Sequence, residues 1–515
     1  IKQSSQDTFA FAGASLEETT KAATQGNNQE TTPTQNNSSS SQNSSSSNSS
    51  SPSSPLPSSP SSPSSQNSSS PVDTSSSQEE NTSLLAPNNL TFNNNSFTFN
   101  WKNVDDVTYI LEVNNEENFN KEPKLQKELT QSQYTLTLDE IIIDLGPGKF
   151  FWRVKAKSGD KESDWSETSS FVIPHITVVS KGNSIQSAVD AANPGDIIIV
   201  DDGIYKENIN INKNNLILKS KNGSEKTIVE AADSHDHIFE ITANNIEISG
   251  FTIRNAIGIW NAGIYTSNGN IKINNNIFQN NYISIWSVGT GMQQEKLFIE
   301  DNKFSETPSS SSYGGIYLQR GGANNATITI NTIKNNTFNS VYNIVVGRST
   351  SIITNNIFTS SSLELGGTSI QLENCNFENG GVLINQGAYN NIDLAVKNTY
   401  INGNPLLYLK GASNLTFSKN DYGQIILVGC SNVTVQNFNI SNTIAAVQLI
   451  NSTNNTILNN TFNKNNYGIY AIQSSYNNIT NNNISDSTES GIYLQNGSFN
   501  KVLGNNISNN NGYAD

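Results

Sequence analysis

Thr456-Ile457-Leu458-Asn459-Asn460-Thr461-Phe462, Ile479-Thr480-Asn481-Asn482-Asn483-Ile484 and Val502-Leu503-Gly504-Asn505-Asn506-Ile507 are three versions of one short phrase. Each holds an apolar residue, then an Asn, then a second apolar residue two places past that Asn, and the phrase returns every 22 to 23 residues. Gly468-Ile469-Tyr470 and Gly491-Ile492-Tyr493 recur in step with it. A fixed period of this length signals stacked coils, in which each repeat buries its apolar side only against its neighbours. The phrases lack helical spacing and are rich in Asn and β-branched residues, so each repeat is expected to be one turn of short strands and tight corners.

Asn460, Asn482 and Asn505 fall at the same place in consecutive coils. There their side-chain amides can bond to one another and to the backbone groups that a bend leaves unpaired, which makes an asparagine ladder. The flanking Ile and Phe columns stack inward as the core. An all-β fold, a right-handed parallel β-helix, accounts for the period, the Asn content and the apolar spacing together.

Apolar residues are only 34% of the 515, which suits a thin solenoid core beside a tail that buries nothing. A net charge of −15 and an isoelectric point near 4.7 argue against nucleic acid or an anionic membrane as partner. No apolar run is long enough to span a bilayer. The chain opens at Ile1 without a leader, which reads as a trimmed form of an exported protein. Sequons such as Asn335, Asn414 and Asn451 fit export but arise easily by chance in so Asn-rich a chain. Cys375 and Cys430 are the only cysteines. Counting coils sets them more than two rungs apart, beyond the roughly 7 Å reach of a disulfide at about 4.8 Å per rung, so both are expected as free thiols. Cys375, within Asn374-Cys375-Asn376-Phe377, takes a ladder position as a small buried substitute for Asn.

Taken in order, residues 1–83 form a Ser/Pro/Asn/Gln-rich tract with almost nothing to bury, expected to be a disordered tail or stalk. From 84 to 174 the texture becomes alternating strands: Phe97-Thr98-Phe99-Asn100-Trp101, Tyr109-Ile110-Leu111-Glu112-Val113, Tyr134-Thr135-Leu136-Thr137-Leu138 and Phe150-Phe151-Trp152-Arg153-Val154-Lys155-Ala156. About ninety residues of this kind read as one small β-sandwich. With the closing Ser163-Asp164-Trp165-Ser166, the segment resembles a fibronectin type III domain. That likeness implies a spacer or binding module.

The β-helix is expected over 175–515. Ser184-Ile185-Gln186-Ser187-Ala188-Val189-Asp190-Ala191-Ala192 has helical spacing, with Ser184 as N-cap and Pro194-Gly195 as the stop. Such a helix would cover the open end of the first coil. The run from Ser184 through Ile197-Ile198-Ile199-Val200 to Gly203-Ile204-Tyr205 looks like the opening of pectin-lyase-like β-helix proteins. The stretch Ile238-Phe239-Glu240-Ile241 to Gly250-Phe251-Thr252-Ile253, with the C-terminal coils, resembles the NosD-like repeats, also called carbohydrate-binding and sugar-hydrolase repeats. The resemblance implies the fold; enzymes, adhesins and surface-layer proteins all use it. At one strand spacing per coil, about fifteen coils would make a column roughly 70 Å long. The chain stops in mid-coil at Gly512-Tyr513-Ala514-Asp515, which reads as an end that continues or docks.

The chemistry that this resemblance could bring is poorly supplied. NosD-like proteins are associated with copper-site maturation, but one Met, two separated Cys and three His are few soft ligands. The polygalacturonase branch carries Asn-Thr-Asp, Asp-Asp and Gly-His-Gly elements. Here Asp-Asp occurs only at Asp105-Asp106 and Asp201-Asp202, without the partner motifs. Pectate-lyase-type sites need clustered calcium carboxylates and a basic residue, and no such set assembles from the sequence. Asp233-Ser234-His235-Asp236-His237 sets two histidines two apart, where one strand face could hold a metal or an acid/base pair; the plainer reading is a polar loop. Glu300-Asp301 and Glu373 read as solvated corners. Neither a cofactor nor a metal is expected.

Aligning Ile264, Ile285, Ile316, Ile344, Ile469 and Ile492 brings Tyr265, Trp286, Tyr317, Tyr470 and Tyr493 one place later, on the outward face. Arg320 and Arg348 each follow their Ile by four residues. Exposed rings suit stacking on sugars, and guanidinium groups can hold carboxylates or sulfates. The competing account is a structural aromatic stack beside solvated Arg. The ligand-binding candidates are therefore Tyr265, Trp286, Tyr317, Arg320 and Arg348. The sequence points to an extracellular, cell-surface structural or adhesive protein that binds a polysaccharide or surface glycan without cleaving it. A lyase or hydrolase of acidic glycans, and a self-assembling surface-layer or filament subunit, are the alternatives.

Overall fold

Each coil turns on a residue with left-handed backbone. At one corner of successive coils these are Asn275, Asp301, Asn335 and Asn355, all with φ near 56°, a conformation that Asn and Asp tolerate better than other non-glycine residues. The next residue points inward and is a rung of the ladder. Asn276, Asn302, Asn336 and Asn356 are buried, and each side-chain oxygen accepts from the residue one coil before, as from Asn276 N to Asn302 Oδ1 at 2.9 Å and from Asn302 N to Asn336 Oδ1 at 2.9 Å. The side-chain nitrogens donate to strand carbonyls, Asn302 Nδ2 to Ile273 O at 2.8 Å. Cys375 follows Asn356 in this column, fully buried, its thiol pushed up to about 11 by burial; both cysteines are free.

In the computed structural model the described residues are 84–93, 96–289, 296–305, 314–320, 330–341, 344–347, 350–366, 369–384 and 392–511. The tail at 1–83 lies outside them. Residues 84–174 form two antiparallel sheets. One is built of Thr91–Asn93, Thr98–Asn100 and Gln133–Thr135, the other of Leu125–Leu129, Thr108–Asn114, Gly148–Ser158, Lys161–Glu162 and Ser169–Ile173. Phe99, Trp101, Tyr109, Leu111, Trp152 and Phe171 fill the space between them. That core continues into the solenoid, because Ile197 and Ile199 on the outer face of the first coil belong to the same cluster.

The solenoid opens with the strand Ile176–Val179, followed by the helix Ile185–Ala191. Ser184 caps it, and the Glu207 carboxylate accepts from Ile185 N and Gln186 N at 2.8 and 2.9 Å; Ile185 and Val189 seat on the first coil's core. Three parallel sheets follow. The first runs from Ile176–Val179 to Asp393–Lys397 in ten strands, the second from Gly203–Lys206 to Tyr400–Ile401, and the third from Ile209–Ile211 to Gly381–Ile384 in eight. Inside the second sheet Phe278, Phe304, Phe338, Phe358 and Phe377 stack with centroids 4.2 to 4.9 Å apart and nearly parallel planes.

The single column expected from the sequence is two stacks. At Asn402-Gly403, with φ of 50° and 81°, a two-residue turn of the kind that favours Asn-Gly joins antiparallel strands, so Tyr400–Ile401 pairs with Asn404–Lys410 in reverse. The second stack then builds its own coils. Its leading sheet comprises Asn404–Lys410, Gln424–Val428, Ala445–Ile450, Tyr467–Ile472 and Ser490–Gln495. One side of this sheet faces the stack's own core of Ile425, Leu427, Val447, Leu449 and Ile469. The other side, with Ile426, Val428, Ile450, Tyr470 and Ile472, is buried in the core of the first stack. Where a further coil would have paired with Gly381–Ile384, side-chain amides substitute for it. Gln424 Oε1 accepts from Val382 N, Gln448 Oε1 accepts from Ile384 N, both at 3.0 Å, and Gln424 Nε2 donates to Val382 O at 2.8 Å.

In the second stack Asn460, Asn482 and Asn505 form the ladder read from the sequence: Asn460 Nδ2 donates to Asn482 Oδ1 and Asn482 Nδ2 to Asn505 Oδ1, both at 2.9 Å. Asn510, which the repeat alone would leave in a loose corner, lies in another ladder, its Oδ1 accepting from Ser487 N at 2.8 Å.

Replacing Asn482 by Leu should cost on the order of 1–3 kcal/mol, because its neighbours' buried polar groups lose partners. Asn439→Leu, at an exposed strand position, should leave denaturant unfolding nearly unchanged; equal losses would refute the ladder. Gln448→Leu should speed hydrogen exchange at the Ile384 amide, read site by site, if that side chain stands in for a strand.

Candidate functional site

The parallel register of the third sheet lines up its outward side chains along the stack. From one coil to the next the column reads Asn210, Glu240, Tyr265, Trp286, Tyr317, Val345 and Glu364. Three aromatic residues therefore stand side by side as the sequence alignment placed them. Tyr265 meets Trp286 edge to face at 5.1 Å, and Trp286 meets Tyr317 at 6.3 Å.

Two rings from outside the column complete the cluster. His237 stacks on Tyr265 at 4.6 Å, tilted only 7°. Trp260 comes from the 255–261 loop and lies 5.9 Å from Trp286 and 6.3 Å from Tyr317. Its backbone is left-handed, φ 65°, a strained choice for so large a residue. The loop is held down by Gly258, whose N–H donates to Ser234 O at 2.8 Å. A Cβ there would come within 2.8 Å of the His235 backbone, so only glycine permits the approach.

The cluster is less open than the sequence suggests. Tyr317 is 5% exposed, and Tyr265 and Trp286 are half-buried. The exposed apolar surface is the loop: Ile259 is 73% exposed and Trp260 44%. Trp286 carries a buried indole N–H with no acceptor among the described residues. Arg348 and the side chain of Arg320 lie outside the described residues. Tyr470 and Tyr493 do stack, at 5.3 Å, but on the leading sheet of the second stack, where Tyr470 is buried against the first. The sequence alignment had spliced two different sheets.

The two histidines of the Asp233-to-His237 segment diverge. His235 is exposed, 3.7 Å from Asp233. His237 turns inward, and its Nδ1 accepts from Ala262 N at 2.9 Å, which puts the ring proton on Nε2. Among the described residues no three His, Cys, Asp or Glu side chains converge as metal ligands. Trp260 escaped the sequence reading because it does not sit at a repeat position, and His237, read there as one of a histidine pair, is instead a neighbour of the rings. The signal that could have found the loop is the apolar Ile257-Gly258-Ile259-Trp260 between two otherwise regular rungs.

Burial lowers the His237 pKa, against the opposing charges of Glu240 and Asp236. The neutral ring belongs to the fold, while the unfolded chain takes up a proton near the ordinary value of about 6.5. Stability should therefore be full above that pH and fall as pH drops through it towards the lower folded value. His237→Asn should flatten this part of the melting profile between neutral and mildly acidic buffers; an unchanged profile would contradict the buried neutral ring.

Residues 407–514, which are nearly the whole second stack, match the family model described as right handed beta helix region. A cell surface glycoprotein of Methanothermus fervidus is 46% identical over 105 residues, covering 20% of this chain and 16% of that protein. Among solved structures, a GH87 α-1,3-glucanase catalytic domain with nigerose aligns with 79% of this chain and 87% of its own, at 12% identity and TM-score 0.34. A family 28 exopolygalacturonase of Yersinia enterocolitica aligns with 84% and 100%, at 12% identity and TM-score 0.20. A PL6 family alginate lyase aligns with 65% and 81%, at 12% identity and TM-score 0.29.

Proposed function

We propose that this is a cell-surface structural or adhesive protein whose first solenoid binds polysaccharide on the aromatic face of its third sheet and does not cleave it. The observation that carries the reading is the cluster of Trp260, Tyr265, Trp286, Tyr317 and His237. It has one ring and one exposed apolar loop at the surface and, beneath, an indole donor with no acceptor among the described residues. Sugars bring both an apolar face to stack and oxygens to accept that N–H. The named relative supports the surface location.

Within the column itself no two carboxylates stand at cleaving distance. Acid-and-base or acid-and-nucleophile pairs for glycoside cleavage stand roughly 5–9.5 Å apart. The carboxylates of the column, Glu240 and Glu364, are separated by five rungs, roughly 24 Å at one strand spacing each. Residues 84–174 would act as a fibronectin type III-like spacer, and 1–83 as a stalk.

A panel of polysaccharides should be tested with binding and cleavage scored separately. Trp260→Ala should weaken binding roughly tenfold or more if stacking on that ring supplies even 1.4 kcal/mol. Unchanged binding in this variant would reject the face, and release of reducing or unsaturated ends by the wild-type protein would make it an enzyme.

A further inference from the structure

The second sheet of the first stack carries a groove of its own, about 390 Å³, crossing five strands from Thr227–Glu230 to Thr337–Asn339. At one strand spacing per step it is roughly 19 Å long. Two outward columns line it. One runs Ile228, Thr252, Ile277, Lys303, Thr337, and the other Arg254, Gln279, Ser305, Asn339. Glu225 stands at one end, on a lip fastened by the Thr252 hydroxyl, which donates to Ser224 O at 2.8 Å.

The charges in this groove are incompletely matched. Arg254 is half-buried, and its nearest carboxylate, Glu230, is 3.6 Å away, too far for a good charge-assisted hydrogen bond. The Arg254 Nε–H is buried with no acceptor among the described residues. Lys303, two rungs on, is exposed and takes part in none of the ion pairs among the described residues. A buried donor with no partner among the described residues is open to an acceptor brought by a ligand. Between the two cations lie the amide of Gln279 and the apolar Ile277; the Ser305 hydroxyl shares the Lys303 rung, and one rung beyond stand the hydroxyl of Thr337 and the amide of Asn339. This is a sequence of carboxylate, apolar and hydroxyl partners along an extended path.

We propose that this groove binds a carboxylate-bearing oligosaccharide, a uronate chain, lying along the stack, with carboxylates at Arg254 and Lys303 and hydroxyls at Gln279, Ser305 and Asn339. It is separate from the aromatic face, and recognition of charge belongs to it. Stacking on rings, with little charge selectivity, remains with Trp260 and its neighbours.

The test is calorimetric titration of the full chain with tetragalacturonate, with maltotetraose as the neutral control. Lys303→Gln changes an exposed side chain and spares the core, and it should weaken uronate binding roughly tenfold or more. Lys303→Arg should retain binding, and added salt should weaken it in the wild type. Arg254→Gln should lose it, with melting temperature checked alongside. Trp260→Ala should leave it unchanged. Failure of the wild type to bind tetragalacturonate, equal binding of maltotetraose, or undiminished binding in Lys303→Gln would each overturn the proposal. Loss of uronate binding in Trp260→Ala alone would also overturn it, by moving charge recognition to the aromatic face.

Discussion

The hydrogen bond from one coil to the next is what everything else rests on. Short strands could not hold together by themselves, but within each stack the interior strands pair in parallel register with one strand above and one below. On the inward side that register puts like residues over like, as in the phenylalanine column. Once coils are in step, the corner must turn without leaving buried amides unpaired, and left-handed Asn followed by inward Asn solves both needs. The phenylalanine column in the second sheet, the ladder at the corner and the ring column on the third sheet are consequences of one repeat distance, reached with different side chains.

The same regularity makes the ends a problem. A parallel coil presents unpaired N–H and C=O groups at each end of the stack, and apolar core beside them. The N-terminal end is covered by the helix Ile185–Ala191, while the adjoining outer face is joined to the antiparallel module through Ile197 and Ile199. At its far end the first stack is closed by a whole sheet of the second, with Gln424 and Gln448 taking the place of a peptide edge. A glutamine side chain ends in the same amide as the backbone, so it can donate and accept at a strand edge without adding a strand.

What could be read from the sequence follows from which interactions are local. The ladder positions Asn460, Asn482 and Asn505, the N-cap at Ser184, the buried role of Cys375 and the neighbouring rings Tyr265, Trp286 and Tyr317 all depend on spacing within one or two repeats. The reversal at Asn402-Gly403 was visible as an Asn-Gly pair, yet in a chain so rich in both residues it stood out little, and the repeat period continues on either side. A better signal was Ile425-Ile426-Leu427-Val428, an unbroken apolar run which, like Ile197-Ile198-Ile199-Val200, reads as a strand buried on both faces. Trp260 and the unmatched Arg254 arise from contacts across loops and coils, which spacing does not encode.

The joint between the stacks also bears on how the protein can vary in length. The amide clamp uses Gln424 and Gln448, from early coils of the second stack, and the apolar contact is carried on by Tyr470 and Ile472. On the strand Ser490–Gln495, Tyr493 still packs, partly buried, against the core of the first stack. Whole repeats can therefore be gained or lost beyond that strand without disturbing the joint, whereas one inserted before Gln448 would shift the glutamines out of step with Val382 and Ile384. The joint thus ties the early coils of the second stack to the last coil of the first.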